Sequence, residues 1–152
     1  MMYCTAGEVV EMIKEDMQNA IIGDEYIGDP EERRERMLKL SENAVKDACL
    51  EIDGYLAKRY AVPFRKTPGV LNKFAKDIAA YNLVSRMGVD ESDREKTFLT
   101  RYNQAVSFLM NVAKGLIDIG VEDFPAKESS AANGFRMESS GRIFSRESMR
   151  GW

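Results

Sequence analysis

Nucleophilic and acid–base chemistry in this chain would have to run on serines, two cysteines and carboxylates, because it contains no histidine at all. Histidine is the commonest general base and the commonest transition-metal ligand. Its absence leaves serines such as Ser41, Ser85 and Ser107 without the usual activating partner. Glu31 and Glu35 stand one helical turn apart, but Arg34 and Lys39 interleave with them. That pattern is surface ion pairing rather than a catalytic carboxylate pair. The stretch GDEYIGDPEE places Asp24, Glu25 and Asp29 in a glycine-bearing loop. Calcium favours such loops, yet Tyr26 and Gly28 occupy positions where an EF-hand needs oxygen ligands. No phosphate-binding glycine motif occurs. With two cysteines a structural zinc site is close to excluded, and Cys4 and Cys49 read as buried, reduced thiols. The expectation is a protein that is not an enzyme and takes no cofactor and no metal.

Binding chemistry is better represented. Lys58, Arg59, Arg65 and Lys66 alternate with Tyr60 and Phe64 in KRYAVPFRK, and Lys73 follows. Aromatics between cations can stack on unpaired nucleotides. The competing view is that the cations offset a helix C-terminus while the aromatics pack a corner. The net charge of −3 also argues against a dedicated nucleic-acid binder. A second cluster closes the chain. Phe135, Arg136, Arg142, Ile143, Phe144, Arg146, Met149, Arg150 and Trp152 bring the arginine and aromatic types that interfaces favour. Charge is unevenly spread: residues 1–29 hold seven acids against Lys14 alone, and residues 125–152 hold five bases against three acids. An acidic head and a basic tail suit contact between unlike patches of neighbouring copies.

The elements that carry these groups are helical. The chain has 152 residues, 44% hydrophobic and 31% charged, which suits one domain with its own core. Thr5 and Glu8 stand at capping-box spacing ahead of Val9, Met12, Ile13 and Met17, which predicts a first helix ending before Gly23. Asp29 and Pro30 open the main helix as cap and first residue. Val45, Ala48, Cys49, Ile52, Tyr55 and Leu56 share one of its faces. It runs toward Tyr60 unless a break near Ser41 divides it, and Gly54 marks close packing. Thr67 and Pro68 repeat the start signal for a helix with a stripe of Leu71, Phe74, Ala75, Ile78, Tyr81 and Asn82, closed by Gly88. Asp90 starts the last long helix, with Phe98, Leu99, Tyr102, Ala105, Val106, Leu109, Met110 and Ala113 facing inward. Three such stripes bury one another as a mainly α, small antiparallel bundle with a short N-terminal helix. The bundle is assigned to residues 1–120 and a tether with a C-terminal arm to 121–152. Within that arm FRMESSGRIF is compatible with a short β-hairpin. No apolar run reaches the ~20 residues that span a bilayer, and the first residues lack a signal-peptide pattern.

Three stretches resemble the small neck-protein family of Mu-like tailed phages and prophages. They are MYCT ahead of a helix, EIDGYLAKRYAVPF followed by TPGVLNKFAKDIAAYNLVSRMG, and the ending RIFSRESMRGW. The segment AIIGDEYIGDPEERRERMLKL fits that pattern less well. The resemblance implies a head–tail connector, an adaptor that completes the head beneath the portal. It implies a homo-oligomeric ring, expected to be twelvefold, in the virion neck, made in the host cytoplasm. Its partners would be further copies, the portal protein, and a tail terminator or other neck protein. DNA would pass through without sequence-specific binding, and no membrane is involved. The alternative is a nucleic-acid-binding module using the basic 58–76 region.

Overall fold

The computed structural model describes residues 2–23, 27–64, 66–88 and 93–121. Five helices make up its regular structure: α1 (Ala6–Glu11), α2 (Glu15–Ile22), α3 (Pro30–Leu56), α4 (Gly69–Val84) and α5 (Asp93–Ala113). A single 3-10 turn, Ser85–Met87, extends α4. Among the described residues there is no strand. The proposed hairpin and tether lie outside the described residues.

The expected first helix is two. Thr5 caps α1 as the sequence indicates: its Oγ1 accepts from the Glu8 amide, and the Glu8 carboxylate accepts from the Thr5 amide at 2.8 Å. The helix then stops at Glu11, and Lys14 turns into an extended conformation. The Gln18 side chain holds this corner by donating to the carbonyls of Ile13 (2.7 Å) and Val10 (3.2 Å). It supplies partners for carbonyls that a continuous helix would have satisfied itself. The corner buries Ile13 and turns α2 onto α3.

The 27 residues of α3 run unbroken for ~40 Å. Asp29 Oδ1 accepts from the Glu31 amide at 3.0 Å, and Pro30 takes the first turn. Ser41 does not divide the helix. It is buried, and its hydroxyl donates back to the Met37 carbonyl at 2.8 Å, so it satisfies itself within the helix. Gly54 does not mark close packing either. A β-carbon there would meet nothing within 4 Å.

The α4 helix is the centre of the molecule. It packs along α3 on one side and α5 on the other. Its buried set therefore exceeds one stripe: Asp77, Ala79, Ala80, Leu83 and Val84 join Leu71, Phe74, Ala75 and Ile78. Small alanines let two neighbours approach at once. Pro68, not Thr67, holds the cap position, and no side chain caps the start. Gly88 ends the unit at φ 86°, a conformation that glycine adopts without strain. The described part of the last helix begins at Asp93 rather than Asp90. Its buried side chains are Ala105, Leu109 and Val112, while Met110 is 41% exposed.

Candidate functional site

The N-terminal and central stretches that carry the family resemblance meet in one place. Tyr3 is buried, and its hydroxyl donates to the Asp53 carboxylate of α3. The Asn72 side chain of α4 donates to the Tyr3 carbonyl at 2.9 Å and reaches Glu8 Oε1 at 3.4 Å. The Tyr3 amide points at Cys49 Sγ, 3.3 Å away. The Tyr3 ring lies 6.3 Å from Phe64, and Phe64 lies 5.8 Å from Tyr60, both at tilted angles. The leading strand of chain is thus threaded between α3 and the α4 start. It is a structural knot, built from Tyr3, Asp53, Asn72 and Phe64. Sequence reasoning missed Asp53 and Asn72. The available signal was an acid following Ile52 and an amide following Leu71, each adjoining a core position.

Burial controls the titration of this knot. It raises the Tyr3 phenol well above its ordinary range, and the hydrogen bond to Asp53 adds to the effect. It also pushes the Cys4 thiol up to about 12. Burial raises Cys49 too, against a smaller opposing effect of the Tyr3 amide. Such thiols are protonated and poor nucleophiles. The Glu8 carboxyl is held below its ordinary range, chiefly by the Thr5 amide.

The basic cluster does not form one open patch. Arg59 donates to the carbonyls of Val112 (3.0 Å) and Ile117 (3.2 Å), with its guanidinium 5.3 Å from the Tyr60 ring centre. It closes the end of α5, where Gly115 turns at φ 83° and Leu116 returns its amide to Asn111. Lys73 pairs with the buried Asp77 at 2.9 Å and sits over the Phe74 ring. Lys58 and Lys66 are exposed, and Arg65 lies outside the described residues. Phe135, Arg136, Arg142, Ile143, Phe144, Arg146, Met149, Arg150 and Trp152 also lie outside them. Asp29, considered above as a cation ligand, caps α3; Asp24 and Glu25 are outside the described residues.

Two other surfaces stand out. Tyr81 and Tyr102 stack at 4.5 Å, and the Tyr102 hydroxyl meets Glu51 at 3.1 Å, tying α3, α4 and α5 together. Burial, followed by the Glu51 charge, pushes the Tyr102 phenol up to about 12. Leu50 on α3 and Leu116 beyond α5 are 62% and 73% exposed. These, with Met110, are apolar side chains available to a partner. No described helix is long and apolar enough to cross a membrane.

Comparison with known proteins places this sequence in a family. A family model described as bacteriophage Mu, Gp36 matches residues 3–138. The chain is 32% identical over 111 residues to the Mu-like prophage FluMu protein gp36 of Haemophilus influenzae, covering 73% of this chain and 74% of that relative. It is 30% identical over 108 residues to gene product J of Escherichia phage Mu, covering 71% and 72% respectively. The span matched by the family model includes the whole knot and stops short of residues 142–152.

Proposed function

This chain belongs to the bacteriophage Mu Gp36 family, and on that premise we propose that it is a head–tail connector, a ring-forming adaptor beneath the portal. The observation that carries the reading is family membership across a helical bundle whose apolar core is closed by its own N-terminal residues. Such a subunit has the closed core that a rigid block requires. A connector needs rigid blocks, since each must present the same surfaces at every position of a ring. The unlike ends of the sequence, acidic through residue 29 and basic in the arm, supply a heterologous contact. Repeated by rotation, such a contact closes a ring. A ring also multiplies modest contacts, so tail docking requires no single strong interface. Exposed Leu50, Met110 and Leu116 add apolar area for the same purpose.

The test is deletion of this gene from its prophage. Filled heads and free tails should then accumulate separately under the electron microscope. A plasmid-borne copy should restore joined virions and appear at the head–tail junction. Normal joining without the protein overturns the assignment.

A further inference from the structure

A groove of about 620 Å³ runs between the α1–α2 corner and the first half of α3. Val10, Ile22, Met37 and Leu38 give it an apolar lining. Glu11 and Glu15 stand on the α1–α2 wall, and Arg33 and Arg34 on the α3 wall. Arg33 is already committed: it donates to Asn19 Oδ1 at 2.8 Å and to the Ile27 carbonyl at 2.9 Å. Glu11, Glu15 and Arg34 make no ion pair among the described residues. The charges lining the described part of the groove are therefore two carboxylates on one wall and two guanidinium groups on the other; Arg33 keeps its charge because both its partners are neutral, and Arg34 is the one without a bonded partner there.

An occupant that matches must bring apolar side chains, cations for the Glu11 and Glu15 wall and a carboxylate for the Arg34 side. Residues 142–152 have this composition: Arg142, Arg146 and Arg150, with Glu147, among Ile143, Phe144, Met149 and Trp152. Another hollow, on α5 and about 490 Å³, is lined by Thr100, Asn103, Gln104, Ser107 and Phe108 among others, with no charged group to meet arginine. The α1–α3 groove has the volume of a ligand site, ~300–1,000 Å³. It has room for anchoring side chains rather than for the whole segment. We propose that this groove seats residues 142–152 of a second copy of the chain. The inference rests on the connector reading, and it specifies which two unlike patches meet around the ring. A groove on one subunit and an arm from the next form a contact that repeats by rotation, whereas an arm folded into its own groove would use up both patches.

The experiment uses the full chain in prophage particles. A photoactivatable benzoylphenylalanine is placed at Glu11, which is exposed and makes no contact that the fold needs. Irradiation should give an adduct of twice the 17.2 kDa chain mass, with residues 142–152 as the captured peptide. In parallel, Glu11→Lys with Glu15→Lys should lower the yield of joined particles at least tenfold. Arg146→Glu with Arg150→Glu should do the same, and the two pairs combined should recover most of the yield. An adduct within a single chain, capture of a different protein, or full joining by the Glu11→Lys, Glu15→Lys protein would overturn the proposal. The wild-type arm separates the two readings. Joining in the deletion strain overturns the connector role itself. A deletion rescued equally by wild type and by the groove variant overturns only the groove.

Discussion

Replacing Tyr3 by Phe removes one oxygen from the centre of the N-terminal knot and leaves the ring in place. The phenol donates to the Asp53 carboxylate, and the ring packs near Phe64. The loss is therefore a hydrogen bond to a charged acceptor, not a cavity. Such bonds contribute ~1.5–3 kcal/mol, and a deprived, partly buried carboxylate adds its desolvation to the cost. Taking ~2 kcal/mol and a urea m-value of ~2 kcal/mol/M, the unfolding midpoint should fall by about 1 M. The slope should stay unchanged, since the exposed surface is the same. Thermal unfolding should shift down by roughly 4–8 °C at this chain length. Circular dichroism at 222 nm reads both. A cycle with Asp53→Asn isolates the pair: the double variant should recover at least ~1 kcal/mol relative to the sum of the single changes, because contacting residues couple. Additivity within ~0.5 kcal/mol would show that the two groups do not interact in solution. The knot would then be held by the Phe64 packing, the Asn72 bond and the Tyr3 amide contact with Cys49.

Gly54→Ala should stabilise the protein by ~0.5–1 kcal/mol, because the position is inside α3, exposed and open around the missing β-carbon; urea unfolding measures it. Gln18→Ala should cost ~1 kcal/mol and speed hydrogen exchange at the α1–α2 corner, since it removes the donor shared by Val10 and Ile13. Cys4 and Cys49 should resist a thiol reagent at pH 8 in the native protein and react fully once urea unfolds it. The same thiols set a pH dependence. An unfolded thiol loses its proton near pH ~8.5, while the folded Cys4 holds it to about 12. The stabilisation is complete below pH ~8.5 and is lost as pH rises through that window, at up to ~1.4 kcal/mol per pH unit for one thiol. Finally, the full chain should fail to retard DNA at low salt, since Arg59 is tied to the Val112 and Ile117 carbonyls and Lys73, though exposed, is paired with Asp77; salt-sensitive retardation would revive the nucleic-acid reading.

Local signals with a single physical cause were legible in the sequence. Asp29 and Pro30 mark the start of α3 because a capping carboxylate and a donor-free residue are each suited to that site. Gly88 marks an end because the chain there needs a positive φ. The α3 stripe from Val45 to Leu56 is buried as its spacing indicates, with Tyr55 partly exposed. What escaped depends on tertiary context. The break after Glu11 lies in a segment whose apolar spacing continues through it, and the corner is held by backbone bonds from Met12 and Ile13 together with the Gln18 side chain, folded back. The extra buried face of α4 consists of alanines, which carry little amphipathic signal, and an acid whose charge is met by Lys73. Ser41 and Gly54 were ambiguous for the same reason. A buried serine that bonds its own helix and a solvent-facing glycine can have the same neighbours in sequence as a break or a close contact.

The knot also changes what the family resemblance can mean. Tyr3, Asp53, Phe64 and Asn72 come from the stretches that most resemble neck proteins, yet each makes its described contacts inside one subunit. The similarity in those stretches therefore includes how the bundle is closed. Side chains that the core does not require are the ones left for contact with other molecules. Leu50, Leu116, Glu11 and Glu15 meet that condition, being exposed on a body whose packing does not use them. A rigid interior with a free exterior lets one fold serve necks of different phages, with partner choice set by surface and arm. On this argument, exchanging the groove and arm residues between two family members should transfer partner choice, while exchanging Tyr3, Asp53 or Asn72 should change only stability.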